Sequence, residues 1–157
     1  MEYQKARAIF RSLTKTYSTF FLAMILLLVV ASLMLSAGGP LSDRFGEWQV
    51  VHKAIGIGLA IVFVPLAYGY PQKLIRRIEA DWKLDLKVSL YRQAVILRLA
   101  IVASVFLINA IFFLITGDND LIMVLAIILV FFILSRPTPF RAAADMGLSD
   151  EEKLQLM

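Results

Sequence analysis

Arg98 and Asn109 stand eleven residues apart in a run from Ala94 to Thr116 whose one charge is Arg98. Eleven residues is close to three α-helical turns, so the two share a helix face with Val102 and Val105. Polar groups are costly in hydrocarbon, which makes such a pair a candidate path for a substrate or an ion. The same two residues also have structural uses, and those are the expectation. An arginine near a helix end snorkels toward water, and an asparagine amide bonds a neighbouring helix as glue. His52 and Lys53 open another apolar run, with His52 on one face with Gly56, Leu59 and Phe63. Histidine titrates near neutral pH, so a proton relay is worth naming. No carboxylate lies inside any apolar run to complete one, and a helix-end interface role is expected for His52.

Other chemistry is excluded by composition. With no cysteine and one histidine, the chain has no disulfide, no thiolate nucleophile and no zinc site built on several imidazoles. It carries no G-x-S-x-G, H-E-x-x-H or Walker sequence. Asp118 and Asp120 flank Asn119 in a short polar connection, and helix capping accounts for them better than a metal does. The expectation is therefore no catalytic, cofactor-binding or metal-ligating residue, no cofactor, and no enzyme.

The elements that must position these residues are membrane spans. Of 157 residues, 60% are hydrophobic and 18% charged, and mean hydropathy is +0.78. Soluble domains run nearer half apolar and a quarter charged. Four runs stand out: 20–37, 54–70, 94–116 and 121–135. A spanning helix takes about 20 apolar residues, so with flanking residues the spans are placed at 17–37, 50–70, 94–116 and 120–136. The fourth is short, and a full crossing is favoured over half penetration. The first is too long for a signal peptide's apolar core and is expected to be a retained helix.

Fourteen Lys and Arg, counting Arg98, fall before the first span, between the second and third, or after the fourth. Arg44 and Lys53 alone fall on the other side, with Asp43, Glu47, Asp118 and Asp120. Basic residues stay cytoplasmic, so both termini are expected there. The net charge of +4 then reports topology, not nucleic-acid binding.

Residues 1–19 carry Tyr3, Phe10, Leu13 and Tyr17 at helical spacing, with Arg7, Arg11 and Lys15 as a basic stripe. That pattern predicts a helix lying in the headgroup region. In the loop 71–91, Leu74, Ile75, Ile78, Trp82 and Leu86 form an apolar stripe. Arg76, Arg77, Trp82 and Lys83 are expected at the surface of anionic lipid. In the tail 137–157, Thr138 to Met146 reads as a short helix ended by Gly147. Ser149 and Glu152 then form a capping box, and Leu154 and Leu156 are available for docking.

Small residues four apart let helices approach closely. The pairs are Ser32/Ser36, Ala54/Gly58, Gly56/Ala60 and Ala100/Ser104. Gly38-Gly39-Pro40 stops the first helix, Phe45 and Trp48 are interface anchors, and Pro65 predicts a kink near Ile61. The halves share an outline, Pro71 leading to Ala80-Asp81-x-x-Leu84 and Pro137 to Ala144-Asp145-x-x-Leu148, which raises a tandem duplication of hairpins.

Ser135-Arg136-Pro137-Thr138 followed by Gly147-Leu148-Ser149-x-Glu151-Glu152, with the Arg98-containing span, resembles a group of small four-span bacterial inner-membrane proteins ending in R-P-T and L-S-x-E-E. The likeness covers about the last 65 residues. It implies topology and a bacterial inner membrane, and no activity. The reading is an all-α integral membrane protein, a four-helix transmembrane bundle with amphipathic cytoplasmic segments. As a function, a non-enzymatic accessory or scaffold subunit or a homo-oligomer leads, and a small transporter or channel subunit is the alternative. The partners are the bilayer, anionic lipid at the cytoplasmic face, and copies of itself or other membrane subunits.

Overall fold

The computed structural model describes residues 2–40, 48–79 and 81–156. All of the regular structure among them is helical: α1 (Glu2–Gly38), α2 (Gln49–Ile75), α3 (Leu84–Thr116), α4 (Asn119–Leu134), α5 (Pro139–Met146) and α6 (Asp150–Leu156). Three of these, α1, α2 and α3, are long and apolar enough to cross a membrane. α4 by itself is shorter, and α4 and α5 reach that length only when taken together across a bend of 76°.

Local sequence explains the boundaries. Gly39 (φ 71°) follows α1, and its N–H closes on the Leu35 carbonyl. Gly117 (φ 64°) ends α3 in the left-handed conformation, with its N–H on the Phe113 carbonyl. The Asp118 carboxylate caps α4 by accepting from the Asp120 N–H at 2.9 Å. Thr138 caps α5 by accepting from the Arg141 N–H, Pro139 follows at the first helical position, and Gly147 (φ 62°) closes it. The capping box before α6 is reciprocal. Ser149 N–H donates to Glu152 Oε2 at 3.0 Å, and Glu152 N–H donates to Ser149 Oγ at 3.3 Å.

The hub is α3, which packs along α1 on one side and α2 on the other; α1 and α2 make no comparable contact with each other. Buried Ala6, Phe10, Leu13, Tyr17, Met24 and Ala31 step along α1 by four, three or seven residues. This is the seam of a helix that keeps one edge against a partner. The opposing α4 packs on α3 and α2, and at its far end Phe132 stacks on Tyr17 of α1. The α3–α4 turn marks one end of the molecule, the hairpin end. The start of α1, α5 and α6 lie at the other, the terminal end.

Several expectations are corrected. The amino-terminal stripe does not form a separate surface helix: it continues α1 without a break, and Phe10, Leu13 and Tyr17 are buried against the protein. The loop stripe does not form one helix either. Helix α2 runs on through Pro71 to Ile75, turns follow, and α3 starts at Leu84; Ile75 ends up buried and Leu86 exposed. Pro65 and Pro71 both lie inside the continuous helix α2. The two hairpins differ in packing: α3 and α4 pair, while α1 and α2 make no comparable contact. Leu154 is 72% exposed and does not pack into the core of the chain, which leaves the membrane or a partner as its place to dock. Asp43, Arg44, Phe45, Glu47 and Ala80 lie outside the described residues.

Candidate functional site

Of the buried polar residues, Asn109, Arg98 and Lys87 sit on α3 at three successive levels. Nearest the hairpin end, Asn109 is fully buried (0% exposed). Its Nδ2 donates to the Val105 carbonyl of its own helix at 2.9 Å, so the amide does not bond a neighbouring helix. Its Oδ1 points at Gly56 of α2 and has no hydrogen bond. A Cβ at position 56 would lie 2.6 Å from that oxygen, 3.2 Å from Leu121 of α4 and 3.3 Å from Phe112. Glycine is thus what lets α2, α3 and α4 meet here, and the asparagine fills the space that glycine leaves.

Three turns along, Arg98 is buried (4% exposed) and does not snorkel. Its guanidinium lies over the ring of Tyr68, 5.0 Å from the centroid, and its Nε makes no hydrogen bond. A cation over an aromatic face recovers part of the lost hydration. The Tyr68 hydroxyl donates to the Phe131 carbonyl and touches Ser135 Oγ, which itself donates to that carbonyl at 2.8 Å. Tyr68 therefore links α2 to the end of α4 while its ring supports Arg98. Between α2 and α4 an open groove of about 670 Å³ runs up from Tyr68, walled by Ile57, Ile61, Pro65, Val124 and Phe131.

At the third level Lys87 is 2% exposed, and its Nζ donates to Glu152 Oε1 of α6 at 2.9 Å. Burial pushes the Glu152 carboxyl up, but the Lys87 ammonium and the Ser149 N–H outweigh it and hold the group below the ordinary carboxylate value. This pair fastens the tail beneath α3.

At the hairpin end Lys53 pairs with Asp118 (3.1 Å) and with Asp120. The Asp120 N–H first, and Lys53 after it, hold the Asp118 carboxyl below its usual value, against some desolvation. His52 Nδ1 lies 2.7 Å from the Trp48 carbonyl, and its ring meets Phe112 edge-on at 5.2 Å. Among the described residues no group of three metal-ligating side chains gathers.

The fold therefore brings Asn109 to Gly56 and puts Arg98 on Tyr68, but it leaves His52 and Lys53 apart from Arg98. Of the small residues expected at helix contacts, Gly56 is buried and Ala60 and Ala100 are half-buried. Ser32, Ser36, Ala54, Gly58 and Ser104 face outward, which corrects their assignment within one chain. Ser32 and Ser36 donate to carbonyls of their own helix. Arg76, Arg77 and Lys83 are exposed at the terminal end, and half-buried Trp82 donates to Glu79. Sequence reasoning missed Tyr68 and the pairing of Lys87 with Glu152. Tyr68 had a signal, a hydroxyl within an apolar run; the Lys87–Glu152 pair spans 65 residues and had none. No protein-family model, curated protein or solved structure matches the chain.

Proposed function

We propose that this chain is a multi-pass protein of a bacterial inner membrane, a four-helix transmembrane bundle with both termini cytoplasmic. It acts without catalysis, as an accessory or scaffold subunit or as a homo-oligomer. The observation that carries this reading is the outward face of α1. Leu22, Leu26, Val29, Leu33 and Met34 are exposed along a helix whose other edge packs on α3. So much contiguous apolar surface calls for acyl chains or the helix of a partner. The outward Ser32, Ser36 and Ser104 support close approach by such a helix. The distribution of Lys and Arg supports the orientation, and exposed Arg76, Arg77 and Lys83 support contact with anionic lipid.

Extraction in native nanodiscs, followed by mass determination and identification of co-purifying proteins, tests the proposal. It predicts stoichiometric partners or a defined homo-oligomer, and no solute flux when the chain alone is reconstituted in liposomes. A monomer that moves or converts a solute by itself overturns it.

A small transporter or channel subunit is the second reading, favoured by one observation. Arg98 Nε and Asn109 Oδ1 are buried without hydrogen bonds on one face of α3. Asn109→Leu separates the two. Lost flux with normal folding supports transport, and lost stability or assembly supports a packing role.

A further inference from the structure

The geometry points to a binding site for the phosphates of an anionic phospholipid headgroup, at the terminal end between the first half of α1 and the α4–α5 link. This rests on the membrane reading proposed above. Four cations from two chain segments line one cavity of about 470 Å³: Arg7, Arg11 and Lys15 of α1, and Arg136 just beyond α4. Their spacing of four residues sets the three α1 cations on one helix face. Like charges so placed repel, and α1 alone would be better off without them. The fold adds a fourth from another segment instead of a carboxylate; no acidic residue lines the cavity among the described residues. Arg11, Lys15 and Arg136 form no salt bridge among the described residues. Positive charge concentrated in these three is relieved by an anion.

The rest of the lining fits a phosphate diester. Arginine forks match phosphate oxygens two at a time. The Thr138 hydroxyl accepts from the Arg141 N–H, which leaves its own proton to donate. Buried Phe10 and Pro137 give the cavity a fixed apolar floor. Height argues for a lipid over a soluble anion. Lys15 precedes Phe20, the start of the apolar run, by about 8 Å of helix, and Arg136 follows α4 after a single residue. Phosphates held here lie level with headgroups, and their acyl chains run up beside the exposed Leu22 and Leu26. Basic pockets at the cytoplasmic ends of spanning helices suit lipids with more than one phosphate.

The test places the full chain in phosphatidylcholine nanodiscs doped with diphosphatidylglycerol and reads lipid retention by native mass spectrometry. Wild type should retain the doped lipid selectively. At about 1 kcal/mol per cation, Arg11→Gln with Arg136→Gln should weaken retention about 30-fold. Lys5→Gln with Lys73→Gln removes the same charge from exposed positions outside the cavity and should change it less than about twofold. Lys15→Gln alone, expected to cost about fivefold, carries the test if the double variant loses its helical circular dichroism. Equal losses in the two double variants overturn the site in favour of diffuse surface charge. Entry into discs without selective retention overturns this inference alone, whereas failure to enter discs overturns the membrane reading with it. Pyrophosphate that protects the detergent-solubilised chain from thermal unfolding, with no lipid retained in discs, overturns the lipid source.

Discussion

Two glycines two residues apart in α2 should respond to alanine with opposite sign. A Cβ at position 58 meets nothing within 4 Å, so Gly58→Ala gains the helix preference of alanine, up to about 1 kcal/mol. A Cβ at position 56 lands 2.6 Å from Asn109 Oδ1, closer than real side chains approach. Asn109 cannot simply swing aside, because its Nδ2 is held on the Val105 carbonyl and Leu121 and Phe112 close the other directions. Overpacking of this kind costs about 1–3 kcal/mol. After the same helix gain of up to about 1 kcal/mol, Gly56→Ala should be destabilising by up to about 2 kcal/mol. Asn109→Ala removes the obstructing oxygen, so the Gly56→Ala/Asn109→Ala double variant should recover much of the loss, a coupling of about 1–2 kcal/mol. Reversible unfolding in mixed micelles, followed by far-ultraviolet circular dichroism, measures all four proteins. If Gly56→Ala stabilises as Gly58→Ala does, or if its cost is unchanged without Asn109, the argument for a three-helix junction at Gly56 is wrong.

Tyr68→Phe keeps the ring beneath Arg98 and loses the hydroxyl bond, at about 1 kcal/mol in the same unfolding assay; Tyr68→Leu loses the ring as well and should cost about 2 kcal/mol more. Glu152→Gln takes the Glu152 carboxylate away from buried Lys87 and should cost about 1–3 kcal/mol, less than a fully buried pair because Glu152 is partly exposed. Amide exchange in α6 should rise with it, and adding Lys87→Met should restore protection. The Glu152 carboxyl is depressed in the folded chain, so its contribution is present above the ordinary glutamate value of about 4.3 and fades as pH falls through the lower folded value; amide exchange in α6 against pH checks that direction. Asp118, depressed by the Asp120 N–H and then by Lys53, should likewise lose its contribution to the hairpin end on acidification, visible as a carboxyl carbon titrating below free aspartate.

Much of the fold was legible because its signals are local. Gly38-Gly39, Gly117, Asp118, Thr138, Gly147 and the Ser149/Glu152 box act within a few residues, and each ends or begins a helix where the sequence places it. Apolar run length likewise identified the long helices. What could not be read was the side of each helix that meets another chain segment. In a chain this apolar, the stripes that face the interior and the stripes that face outward have the same composition. Phe10 and Leu13 read as a lipid-facing stripe and pack on protein, while Ser32 and Gly58 read as contacts and face outward. Arg98 and Asn109 were singled out by polarity alone. Their partners, Tyr68 and the bare backbone of Gly56, are set by the antiparallel register of α2 on α3, which one-dimensional patterning does not contain.

The unbroken course of α1 gives the protein a stiff lever. From Glu2 to Gly38 it is one helix of about 55 Å, with no hinge between its basic first half and its apolar second half. Pivoting near Tyr17, where it is gripped by Phe132, a tilt of 10° would sweep the amino-terminal end through roughly 4 Å. Because α1 also packs along α3 from Ala6 to Ala31 and touches α6, a lateral push on the apolar half would reach the opposite end by moving α3 and α6 with it.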